Sequence, residues 1–220
     1  MIPLKDDNPT RTFPIINCLL IAVNVVVFFY EPALASRAGR AFMMVYGTVP
    51  ARIPSFLAGH TSAHLALYPL FTSMFLHGGL LHLLGNMLFL YVFGDNVEDA
   101  FGHFGYLAFY LFCGIGSGLV HVLFNLHSTV PAIGASGAIS GVMGAYAVLY
   151  PRAKVLMLFL IFLVPIPAVL VLGYWFVLQF LAGMDQLGGS AMGGVAFWAH
   201  IGGFLIGLVV GLVVKTEVKS

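Results

Sequence analysis

Charge is what this 220-residue chain has least of: nine basic and eight acidic residues, against 60% apolar ones. That leaves too few polar side chains to clothe a globule in water, so the chain fits a bilayer. The net charge is +1 and no basic cluster points to nucleic acid. Only two cysteines occur, Cys18 and Cys113, each inside an apolar run and without a CxxC partner. Their placement excludes a disulfide framework and a cysteine zinc site. Histidine is the exception to this poverty. Eight are present, and an ionisable ring in hydrocarbon is costly unless it has a function.

Runs bounded by charge, proline or glycine predict six spans: residues 13–30, 78–93, 104–125, 131–150, 155–180 and 195–214. The expected fold is therefore an all-α, six-transmembrane-helix bundle. The fifth run is long and carries Pro165 and Pro167, which remove two backbone donors and predict a kinked, mobile helix. Residues 31–77 are too apolar for a free loop and are broken by Pro50, Pro54 and Pro69, so a helical hairpin on the outer membrane surface is expected there. No repeat or appended soluble domain interrupts residues 1–220, which read as one membrane domain. Residues 1–12 form a short cytoplasmic segment and 215–220 a cytoplasmic tail. That orientation puts Lys5, Arg11, Arg152, Lys154, Lys215 and Lys219 inside, and Arg37, Arg40 and Arg52 outside. Ala33-Leu34-Ala35 after the first run resembles a leader-cleavage site. The run exceeds the usual ~7–15 residues, however, and an uncleaved helix is expected.

Polar residues inside the spans converge. Spans two, four and six all enter from outside. At ~1.5 Å per residue this puts Ser136 roughly 7 Å below the outer end of span four, with His200, His82 and Asn86 at similar depth. Alone, Ser136 reads as a small packing residue, and His200 as an interhelical hydrogen-bonder or a metal or haem ligand. Together they read as a site. Gly134, Gly137, Gly141 and Gly144 step along span four, while Gly203, Gly207 and Gly211 lie on the face of His200 in span six. Such side-chain-free stripes let two backbones approach and would bring His200 to Ser136.

Serine becomes a useful nucleophile only when a base takes its proton, and histidine is the usual base near neutral pH. No carboxylate lies within an assigned span, so the pair reads as a Ser/His dyad. Donors for an oxyanion are available from the Ser136 backbone N–H early in its helix, from Asn86 and from His82 on the same face. His60, His64, His103, His121 and His127 show no metal-ligand spacing, and neither metal nor cofactor is expected.

Gly134-Ala135-Ser136-Gly137, Ala199-His200-Ile201-Gly202-Gly203 followed by Gly207, and His82-x-x-x-Asn86 together resemble the rhomboid intramembrane serine proteases. The opening Ile2-Pro3-Leu4-Lys5-Asp6-Asp7-Asn8-Pro9 is similar to the start of many bacterial rhomboids. The resemblance implies Ser136 as nucleophile, His200 as general base, and the Ser136 amide, His82 and Asn86 around the oxyanion, with His77 in hydrogen-bonding support. It also implies single-pass membrane proteins as substrates, a bacterial inner membrane as location, and span five with residues 183–194 as gate and lid. The competing expectation is a non-proteolytic rhomboid-like protein that binds transmembrane helices. Oligomeric state is not legible. Two departures stand out. The family's tryptophan-arginine pair in the first outer loop is missing, and Ser140 stands where many members carry an aromatic partner for the base. Ser140 is expected either to hydrogen-bond His200 or a site water, or to bond back to its own helix.

Overall fold

A computed structural model describes residues 2–33, 36–187 and 195–219. Residues 34–35 of the leader-like pattern and 188–194 of the expected lid lie outside the described residues. The chain runs through β1 (Ile2–Asp6), α1 (Ile15–Tyr30) and four short helices, α2 (Arg37–Tyr46), α3 (Arg52–Leu57), α4 (Ala63–Ala66) and α5 (Pro69–Thr72). A 3-10 turn (Ser73–Phe75) leads into α6 (Leu80–Phe101), α7 (His103–Phe124) and α8 (Ser136–Leu149). The hairpin β2 (Lys154–Phe159) and β3 (Phe162–Pro167) then precedes α9 (Ala168–Leu187) and α10 (Phe197–Lys219). Helices α6, α7, α9 and α10 are long and apolar enough to cross a membrane, and α1 and α8 are shorter apolar helices beside them. The chain is an integral membrane protein built as a six-helix bundle, with the short helices α2 to α5 filling the link between the first two spans.

Helix α8 is the axis. Its residues Gly137 to Tyr146 are all buried, enclosed by α6, α7, α9 and α10. At 14 residues it is about 21 Å long, short of a ~30 Å hydrocarbon core. Neighbouring helices rather than lipid surround it, so it need not span alone. The glycine stripes face each other as expected. A Cβ on Gly203 would lie 2.0 Å from the Gly137 carbonyl oxygen, and one on Gly144 would lie 2.1 Å from that of Phe204.

The second span is longer than its hydropathy suggested, continuing past residue 93 through Asp95, Glu98 and Asp99 to Gly102, whose φ of +69° ends it. Glu98 is fully buried. Its carboxylate accepts from the Ile16 and Asn17 N–H groups at 2.9 and 2.7 Å, satisfying the open first turn of α1. Asp99 accepts from the backbone N–H groups of Arg11 and Thr12 at 3.2 and 3.0 Å. Glu98 and Asp99 are thus engaged by the N-terminal segment, which is why they do not end the helix.

The expected fifth helix over 155–180 forms only from Ala168 onward, as α9. Residues 154–167 are instead an antiparallel hairpin whose strand β2 also pairs with β1, in the order β1-β2-β3. Pro165 and Pro167 lie on β3, the edge strand, where the missing N–H groups have no partner to disappoint. They do not kink a helix; they precede one. Val155 and Met157 alternate inward to the core, a period-two pattern hidden within a continuous apolar run.

Candidate active site

Ser136 is the first residue of α8, not a turn and a half down a longer helix. Residues 131–135 approach it as irregular backbone. Ala132 pairs with Thr48 through reciprocal N–H···O bonds of 2.8 and 3.0 Å, and the Gly134 N–H donates to the Ser73 carbonyl at 2.8 Å. Gly134 has φ +124°, a conformation that side chains rarely tolerate. His82 is the third residue of α6 and His200 the fourth of α10. Three helix N-termini therefore converge, bringing positive dipole ends and unpaired N–H groups to one place.

His200 Nε2 lies 2.8 Å from Ser136 Oγ. Its Nδ1 lies 2.7 Å from Gln179 Oε1 on α9. An amide oxygen only accepts, so Nδ1 carries the ring proton and Nε2 is left to accept from the serine hydroxyl. Trp175, one turn earlier on α9, covers the same ring with centroids 5.8 Å apart.

His82 Nδ1 accepts from the Gly78 N–H at 3.3 Å, which places the His82 proton on Nε2. A Cβ at Gly134 would sit 2.8 Å from His82 Nε2 and 3.6 Å from Ser136 Oγ. The glycine thus keeps open a space the size of one atom between a ring N–H and the serine oxygen. Asn86 is nearby but is engaged elsewhere: its amide nitrogen is 2.9 Å from Nε2 of the buried His77, and its second N–H remains. His77 packs edge-on against His82 at 5.0 Å. Beside Ser136, a cavity of about 30 Å³ is lined by Thr48, Ser73, Ser117 and His121, room for a water with polar partners.

Of the two alternatives open for Ser140, the hydrogen bond to His200 is not formed. The Ser140 hydroxyl donates at 2.6 Å to the Ser136 carbonyl, back along its own helix. Its Cβ would be 3.3 Å from a Cβ on Gly203, so an aromatic ring there would push α10 away. The aromatic partner of His200 comes from α9 instead.

Three contributors were not read from the sequence. Gln179 is the only side-chain amide in the run 155–180, and a polar group in such a run is the signal that marks it. Trp175 carried no such mark. Glu31, at the end of α1, accepts from the His77 N–H with both carboxylate oxygens at 3.2 and 3.3 Å, tying the first helix to the segment that carries His77 and leads into α6 and its His82.

Replacing Gln179 by leucine should lower kcat/KM by roughly tenfold, the cost of one orienting hydrogen bond of about 1.4 kcal/mol. Gln179→Glu, which keeps the acceptor, should restore most of the rate. Equal rates in both variants and the wild type would remove the orienting role. Burial pushes the Glu31 carboxyl up to about 7 from its ordinary 4.5, against the opposing pull of the His77 N–H. A raised folded-state value contributes stability that is full below about pH 4.5 and is lost as pH rises through about 7. Because the carboxyl is half-exposed, solvent screening keeps this to the order of 1 kcal/mol, or roughly 2–4 °C. Thermal unfolding of Glu31→Gln between those pH values should show a correspondingly flatter pH dependence. A slope identical to the wild type would exclude Glu31 as its source.

A family model described as the Rhomboid domain matches residues 64–217. The chain is 32% identical over 155 residues to Rhomboid protein 1, mitochondrial, of Saccharomyces cerevisiae, covering 67% of this chain and 42% of that protein. It is 35% identical over 156 residues to Rhomboid-like protein 11, chloroplastic, of Arabidopsis thaliana, covering 66% of this chain and 51% of the relative. A third similarity is to RHOMBOID-like protein 12, mitochondrial, of Arabidopsis thaliana, at 32% over 160 residues, covering 61% of this chain and 46% of that protein. The chain thus spans about half or less of the length of these relatives.

Proposed function

The chain belongs to the rhomboid family, and from that premise we propose that it is an intramembrane serine endopeptidase acting on single-pass membrane proteins. The observation that carries the reading is the 2.8 Å contact between Ser136 Oγ and His200 Nε2. Ser136 Oγ attacks the carbonyl carbon of the scissile bond while His200 Nε2 takes its proton. The developing oxyanion is met by the Ser136 N–H, the His82 Nε2–H and the free N–H of Asn86. His200 then passes the proton to the leaving amine, giving an acyl-enzyme that water hydrolyses with the same base. Both chemical groups of the dyad are intact, which favours the enzyme over a protein that only binds transmembrane helices. The charge distribution supports both termini in the cytoplasm, so the site opens toward the outer face where water is near. The similarity of residues Ile2 to Pro9 to the start of many bacterial rhomboids supports a bacterial inner membrane as the setting.

The test is purified protein incubated with a single-pass reporter substrate and, separately, with a fluorophosphonate probe. Wild type should cleave and label, and Ser136→Ala should do neither. Wild type that folds yet neither cleaves nor labels, or cleavage surviving in Ser136→Ala, would overturn the proposal.

A further inference from the structure

The sheet formed by β1, β2 and β3 is polar at one edge and apolar at the other. Strand β1 carries Lys5 and Asp6, and Asp7 just beyond it binds Lys154 in both directions, the Asp7 N–H to the Lys154 carbonyl at 3.0 Å and the Lys154 N–H to the Asp7 carboxylate at 2.7 Å. At the far side, Phe159, Leu160, Ile161, Phe162, Leu163 and Val164 are 52, 79, 84, 62, 57 and 41% exposed. No charged residue occurs between Lys154 and Asp185. Water is a poor solvent for six consecutive apolar side chains exposed on both faces of a hairpin.

The turn chemistry points the same way. Two-residue hairpin turns in water favour glycine, asparagine or aspartate where φ is positive. Here Leu160 takes φ +55°, the only non-glycine residue with positive φ among the described residues. A strained leucine at the tip keeps an apolar side chain where a polar turn would have been easier to build. The open edge is also modified. The turn closes at Phe159↔Phe162, so the alternation of an antiparallel ladder aims the nitrogens of residues 162, 164 and 166 at β2, and those of 163, 165 and 167 outward. Two of those three outward positions are Pro165 and Pro167. Bare N–H groups facing hydrocarbon are strongly disfavoured, and this edge has one in place of three. The same deletion blocks the addition of another strand, so a β-pairing protein partner does not fit. Finally, α9 begins directly at Ala168, and its Val169, Leu170 and Val177 are 45, 61 and 51% exposed, continuing the apolar surface up the flank of the bundle.

We propose that the β2–β3 hairpin is a lipid-facing element whose tip inserts among the acyl chains of the leaflet on the side carrying both termini, while β1 holds the sheet in the polar zone. It anchors the start of α9, the helix that carries Gln179 and Trp175, at a fixed depth. The inference does not depend on proteolysis. To test it, a nitroxide is attached in liposomes at Ile161→Cys, in the full chain with the exposed Cys18 replaced by alanine and the buried Cys113 retained. Asp7→Cys and Leu170→Cys serve as the aqueous and lipid references. Position 161 should collide with oxygen in preference to an aqueous nickel chelate, as position 170 does, and position 7 should show the reverse. Nickel access at 161 equal to that at 7 would overturn the proposal. Shielding from both reagents would also overturn it, since it would mean that protein covers the tip.

Discussion

Cleavage of a single-pass substrate by His200→Ala is expected to be roughly 10³- to 10⁴-fold slower than by the wild type, with the loss in kcat rather than KM. Among the described residues, His200 is the only group brought within hydrogen-bond distance of Ser136 Oγ through an unprotonated nitrogen. Without that lone pair the serine keeps its proton. The remaining donors around Gly134 still bind a carbonyl oxygen, but they have no alkoxide-like nucleophile to assist. Groups that act as a unit are not additive, so the Ser136→Ala/His200→Ala double variant should be no slower than the worse single variant. The ring also fills space between Trp175 and α8, so unfolding temperature must be measured alongside. A loss smaller than about tenfold in a variant that folds normally would exclude His200 as the base.

The helical plan of the bundle was legible because each span is a long apolar run and lipid demands that every backbone group be satisfied within it. The pairing of Ser136 with His200 was legible because both residues sit on glycine-bearing faces at matching ends of their helices. What escaped has physical causes. Residues 155–167 are apolar on both strands, so period two was invisible, and two prolines read equally as a kink or as an edge. Glu98 and Asp99 look like the end of span two because the backbone groups they bind lie more than 80 positions away in the N-terminal segment, while Asp95 accepts from its neighbour, the Asn96 N–H. Gln179 is not legible as a site residue because one amide in an apolar run says nothing about which helix it faces. Ser140 admits two bonds from sequence alone, and the local one is found because a hydroxyl can reach the carbonyl one turn back.

Gly207→Val should cost at least about 3 kcal/mol of stability, or roughly 6–12 °C in unfolding temperature, and should abolish probe labelling with it. A Cβ at Gly207 would lie 1.8 Å from the Gly141 carbonyl oxygen and 2.6 Å from its Cα. Both obstacles are backbone, so no rotamer change relieves the clash, and α10 must move away from α8. His200 is two turns up the same face of α10, and a 2.8 Å hydrogen bond to Ser136 does not survive a shift of an ångström or more. Fold and chemistry are therefore lost together. Gly173→Ala is the control. Nothing lies within 4 Å of a Cβ there, and alanine favours a helix over glycine by roughly 0.5–1 kcal/mol, so that variant should unfold at the wild-type temperature or slightly above and label normally. Wild-type stability and labelling in Gly207→Val would mean that the two backbones are not in contact. The glycine stripes would then have to be explained by something other than bringing His200 to Ser136.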